Sequence, residues 1–184
     1  MVHDQSLVDR LSALDVERFS GEVFRATRVN ADPLAPSVNG GRWAPVAQEG
    51  YDVPVLYTSF EQRGALAEVV SWLSELTPVP GPRPLKVSRL GVSTARTMRF
   101  ARADLAKLDV DMARFGERDY GRTQMIGAAL AFLDLDGLIA PSARWACDNL
   151  MIFTANQSLN ERLEFLDSQE IEWRSWAKAN GLLG

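Results

Sequence analysis

The 184-residue chain has one histidine, His3, and one cysteine, Cys147. A lone cysteine excludes an intramolecular disulfide and suits a reducing cytosol. Two such residues cannot assemble a Cys/His zinc site within one chain. Ser–His and Cys–His catalysis also lack a histidine in the body of the domain, His3 being expected at a frayed terminus. Long apolar runs are missing: nothing approaches the ~20 apolar residues that span a bilayer. The opening M-V-H-D-Q-S-L-V-D-R has no basic region followed by an apolar stretch, so no secretory signal is expected. A basic face is absent as well. Net charge is −4 and pI near 5.1, with no basic cluster interleaved with aromatics, which argues against direct nucleic-acid binding. These absences point to a cytoplasmic protein that needs no bound metal or permanent cofactor.

What is present is ordinary for a globular chain, 46% hydrophobic and 24% charged, and its length fits one domain over 1–184 with a sizeable core. Helical spacing of Leu7, Val8, Leu11 and Leu14 predicts a helix over 5–15. Residues 21–27 and 54–59 read as strands, with a Pro/Gly/Asn-rich loop over 30–41 between them. A helix over 61–76 has Leu66, Val69, Val70 and Leu73 on one face, with Ser59 and Gln62 as a capping box. The segment T-P-V-P-G-P-R-P (77–84) must be an extended connector. Strands follow at 85–92 and 96–101, then a short or broken helix over 104–115 and a long helix over 120–133. Apolar runs at 137–140 and 149–154 flank a P-S-A-R-W turn. The stretches 163–166 and 169–173 are expected to pair with each other, before a terminal helix presenting Trp173, Trp176 and Ala177. Mixed elements without regular βαβ spacing predict an α+β domain with mixed or antiparallel sheets and flanking helices.

Within this frame stand polar residues that do not improve a core. Arg25 lies in V-F-R-A-T-R, Arg42 in N-G-G-R-W, Tyr57 in V-L-Y-T-S with Glu68 eleven residues on, and Ser142 in L-I-A-P-S-A-R before Asn149. A charge in apolar surroundings is costly unless paired, so such groups usually face a cavity, a ligand or each other. Each also has a plainer explanation. Arg42 either grips an anion where Gly40 and Gly41 let backbone come close, or stacks on Trp43 in a surface turn. Arg25, on the face of Val23, is an edge charge or a cavity liner. Glu68 has no i+4 basic partner, yet a solvated glutamate is common. Ser142 after Pro141 suits a turn or cap, and without a histidine it is a hydrogen-bonding group rather than a nucleophile.

In order and spacing, these residues resemble the RES-domain family from about Val23 to Phe153. Ala44 follows G-G-R-W where many relatives have asparagine. The resemblance implies an ADP-ribosyltransferase-like fold and the toxin half of a bacterial toxin–antitoxin pair. It implies NAD+ as substrate, cleaved at the nicotinamide–ribose bond with phosphate or water as acceptor. Alternatives are ADP-ribosyl transfer to a protein and a nucleotide-binding module without catalysis. Carried over by motif, Glu68, Arg42 and Arg25 are the catalytic candidates. Arg25, Arg42, Tyr57, Ser142 and Asn149 are the substrate-binding ones. The implied partner is an Xre-like DNA-binding antitoxin that blocks the active site, and the complex leaves room for a toxin homodimer.

The residue chemistry suits that reaction independently. Glycosidic cleavage of NAD+ needs a clamp on the pyrophosphate, a ring against nicotinamide and a carboxylate near the oxocarbenium-like ribose. Arg25 and Arg42 suit the first, Tyr57 the second and Glu68 the third. Ser142 and Asn149 suit the carboxamide or a ribose hydroxyl.

Overall fold

The structure, a computed structural model, describes residues 4–49 and 51–183, so His3 lies outside the described residues. The order is α1 (Gln5–Ser12), β1 (Glu17–Arg28), β2 (Val55–Ser59), α2 (Gln62–Ser74), β3 (Pro84–Arg99), α3 (Arg102–Lys107), α4 (Gly121–Phe132), β4 (Gly137–Pro141), β5 (Asp148–Phe153), β6 (Leu163–Glu172) and α5 (Trp173–Ala179). This is an α+β domain. Its strands run β1-β2-β5-β4-β3-β6, and β1 also pairs with β3. The β1–β2 contact is narrow, Phe24 opposite Ser59, but it closes five strands into a ring. All pairings are antiparallel except β3–β4.

Alternation along the strands sorts the core. Val23, Leu56, Leu90, Val92, Ile139, Leu150 and Ile152 fill the ring. The opposite faces of β4 and β5 carry Leu138, Ala140, Met151 and Phe153, which pack with Leu7, Leu11, Ile126 and Leu130 of α1 and α4. On the far side, Leu66, Val70 and Leu73 of α2 meet Trp173 and Ala177 of α5. Asp4 caps α1, accepting from Ser6 N at 3.0 Å and Leu7 N at 3.3 Å, which satisfies N–H groups that have no partner within the helix.

Several expectations from sequence are corrected. The two strands at 85–92 and 96–101 are one strand, β3, held along its length by β1, and a register shift opposite Glu17 and Phe19 absorbs the break in pattern. The stretches 163–166 and 169–173 do not pair with each other. They form continuous β6 along β3, with its own irregularity at Arg89/Leu90. Strand β1 begins at Glu17 rather than residue 21. The 104–115 helix stops at Lys107, with Asp109 in the left-handed region at φ 63° shortly after. Ser59 is not the cap of α2. Glu61 holds that position without a side-chain cap bond, while Ser59 Oγ accepts from Glu61 N at 3.4 Å and lies 3.2 Å from Cys147 Sγ.

Candidate active site

The site lies where β2 and β5 face α2. In the antiparallel register Tyr57 stands opposite Met151 and Ser59 opposite Asn149. All four line a cavity of about 740 Å³ that also takes in Arg25, Arg42 and Glu68. Ser142 follows β4, and α2 carries Glu68 toward it. Ser142 Oγ donates to Glu68 Oε1 at 2.7 Å, and Asn149 Nδ2 donates to the same oxygen at 2.9 Å. No hydrogen bond reaches Oε2 among the described residues, so the carboxylate is fixed by one oxygen and offers the other to the cavity.

Ser142, 3% exposed, also accepts from Arg144 N at 3.0 Å and Trp145 N at 3.2 Å. Its hydroxyl is thus fully engaged by protein, on Glu68 and on two N–H groups of its own turn. Asn149 keeps one buried acceptor, Oδ1, without a partner.

The G-G-R-W turn reaches the cavity from the opposite wall. Trp43 is 2% exposed and anchors the turn in the core beside Ala44. The stacking of Arg42 on Trp43 considered from sequence is therefore not what occurs. The Arg42 guanidinium lies 4.6 Å from the ring centroids of both Phe115 and Tyr120 and donates to Glu117 O at 3.3 Å. Gly40 adopts φ 77°, where a side chain is strained. Gly41 is small for Tyr57 rather than for a ligand, since a Cβ there would stand 2.6 Å from the Tyr57 hydroxyl. That hydroxyl accepts from Trp43 N at 3.3 Å. Beneath Glu68, Ala65 faces the cavity, but Gly64 is packed against Ser59 and Cys147.

Arg25 lines the cavity from β1 with Nη1 donating to Pro33 O at 3.0 Å and Ala35 O at 2.7 Å. It thereby pins the loop that leads into the G-G-R-W turn.

The RES domain family model matches residues 21–174. The chain belongs to the RES-domain family. No curated protein matches it. Among solved structures it is similar to a chain of the M. tuberculosis MbcT–MbcA toxin–antitoxin complex, at 17% identity and a TM-score of 0.80, covering 97% of this chain and 98% of that one. At that identity the likeness establishes the shared fold.

Electrostatics of this RES domain follow from burial. Burial lowers Arg42 from the ordinary arginine value, while Tyr120 and Glu68 raise it. Burial likewise lowers Arg25, against the pull of Asp32. Both stay charged, because arginine starts so high. Burial pushes the Tyr57 hydroxyl well above its usual value, so it is neutral and able to donate at working pH. Cys147 is also raised by burial, although its contact with Ser59 opposes this.

Sequence reasoning missed Phe115, Arg118 and Tyr120, which shape the Arg42 end of the cavity. Phe115 and Arg118 lie in or just beyond a stretch read as a broken helix, and Tyr120 opens the helix read over 120–133. The only local signal was the clustering of charge and aromatics in F-G-E-R-D-Y. Among the described residues no group of three or more His, Cys, Asp or Glu could hold a metal ion, and no helix is long and apolar enough to cross a membrane.

Proposed function

We propose that this RES domain is the toxin of a toxin–antitoxin pair and cleaves NAD+ at the nicotinamide–ribose bond. The observation that carries the proposal is Glu68: a carboxylate held on one oxygen by Ser142 and Asn149, with the other free, in an open cavity whose walls bear Arg42, Arg25 and Tyr57. In the reaction the bond between ribose C1 and the pyridinium nitrogen breaks, and its electron pair passes to the ring. Neutral nicotinamide leaves. An anionic oxygen of phosphate bonds to C1, or a water oxygen does so and releases its proton to solvent. Glu68 stabilises the developing positive charge on the ribose, the type of fixed electrostatic help that dominates many rate enhancements. Tyr57 offers a ring to the nicotinamide, and Arg42 offers a guanidinium to the pyrophosphate.

The similar structure is a toxin–antitoxin complex, which supports an antitoxin partner here. The test is nicotinamide release from NAD+ by the purified protein, with and without phosphate and with no protein target. Release is expected, and Glu68→Gln should lower it by roughly a hundredfold or more and abolish growth arrest on expression. Release that requires an added protein acceptor would overturn the proposal in favour of ADP-ribosyl transfer. Unchanged turnover in Glu68→Gln would remove the carboxylate from the mechanism.

A further inference from the structure

Strand β6 is the one strand outside the closed ring, and it pairs with β3 alone. Every second N–H and C=O along β6 therefore faces away from the sheet. Among the described residues no backbone hydrogen bond from elsewhere fills these positions. Residues 164, 165 and 167–170 are exposed, so no other described element covers this edge. The register irregularity at Arg89/Leu90 falls at Leu166, and Asp167–Glu172 then pair with β3 without interruption. That uninterrupted run is open to another strand.

The same edge holds the chain's excess charge. Residues 161–172 carry five carboxylates, those of Glu161, Glu164, Asp167, Glu170 and Glu172, and one cation, Arg162. Their net charge of −4 equals that of the whole chain, which leaves nineteen charges of each sign elsewhere. Neighbouring cations offset this only in part. Arg89 is shared between Glu22 at 2.9 Å and Asp167 at 2.5 Å. Lys86 stands opposite Glu170 in the register but donates to Ala31 O at 2.7 Å. Among the described residues the exposed Glu170 side chain makes no hydrogen bond and no ion pair.

A free edge is a template for β-pairing, and proteins commonly guard it with charge. Carboxylates guard it selectively. A second copy laid along β6 would bring acid against acid, which is unfavourable across strands. An extended segment with lysine or arginine at alternate positions meets the opposite field and gains main-chain hydrogen bonds as well. Phe165, 47% exposed just before the irregularity, offers such a segment an apolar contact.

We propose that the free edge of β6 is a docking site for an extended, basic segment of a partner protein, which adds there as a further strand. None of residues 161–172 lines the cavity. The surface is thus separate from the candidate active site, and the proposal does not rest on the NAD+ reading.

The experiment is an amide-resolved NMR titration of the full chain at low ionic strength. The probe is a short end-capped peptide alternating lysine with threonine and valine. Shifts are expected along Asp167–Glu172, with a Kd of about 1 mM or tighter, and amide exchange should slow there. A second peptide has the same number of lysines spaced by paired prolines. It keeps the charge but is held in the polyproline II form without the donors a ladder needs, and it should bind far more weakly. Glu170→Lys should weaken binding of the first peptide about fivefold. Asp15→Lys, the same change in charge at an exposed position between α1 and β1, should leave it unchanged.

The proposal is overturned if the first peptide leaves β6 unshifted or if Glu170→Lys binds it as wild type does. Equal binding of the proline peptide would reduce the effect to unspecific attraction and overturn it too. Protection of the same amides by dimer formation without peptide would give the edge to a second copy instead.

Discussion

Ser142 makes three hydrogen bonds with one hydroxyl, donating to Glu68 and accepting from two N–H groups of its own turn. Alanine there leaves two part-buried N–H groups without their acceptor and frees one side of the Glu68 carboxylate. Ser142→Ala should cost about 1–3 kcal/mol of stability, measured by urea unfolding, and should lower kcat more than it raises KM. A large KM effect at constant kcat would instead make Ser142 a substrate ligand. Tyr57 gives a pH test. Its folded pKa lies above the ordinary value of 10.0 because of burial. Its contribution to stability is therefore fully present below pH 10 and declines above it, as the unfolded chain ionises while the folded one does not. Wild type should lose stability above pH 10 more steeply than Tyr57→Phe, and parallel alkaline curves would contradict this. Glu68 was legible in the sequence as a helix carboxylate without a basic i+4 partner. The two donors that hold it were not, because Ser142 and Asn149 lie far along the chain and meet it only across the sheet.

Helix α4 shows how an element that carries none of the motif residues can decide a site. Gly127 sits within it, where glycine is intrinsically unfavourable. The reason is packing: a Cβ at Gly127 would run into the carbonyl of Trp43, so α4 presses directly on the turn that carries Arg42. Gln124 of the same helix donates to Gly41 O at 3.0 Å and holds that turn from the side. Gly127→Ala should destabilise by about 1–3 kcal/mol and also reduce nicotinamide release by shifting Arg42. A stable, fully active variant would show that the turn relaxes freely. The positions of α2 and α4 could be read from their apolar spacing, since a helix with one buried face announces itself locally. Strands β3 and β6 were misread because β-pairing lies in partners elsewhere in the chain. A strand of 16 residues tolerates local breaks in alternation when its neighbour β1 supplies hydrogen bonds along most of its length.

Across the whole molecule, the ring of β1, β2, β5, β4 and β3 binds the two outer layers to a common interior. Trp43 belongs to the core cluster on the α1/α4 side, and Trp173 to the cluster under α2 and α5. Because both layers depend on the same strands, thermal unfolding should be a single transition, with tryptophan fluorescence and far-ultraviolet circular dichroism coinciding. Two resolved transitions would show that one layer melts independently.

The sequence by itself determined the α+β class, the RES-domain family and the identity of the polar residues to watch. These depend on local periodicity, on residue type and on order along the chain. The tertiary structure alone decided what those residues touch. It tied Ser142 to Glu68, put Arg42 on Phe115 and Tyr120 rather than on Trp43, and brought Arg118 onto Tyr120 as well. Such pairings join segments distant in sequence, so only the folded chain can specify them.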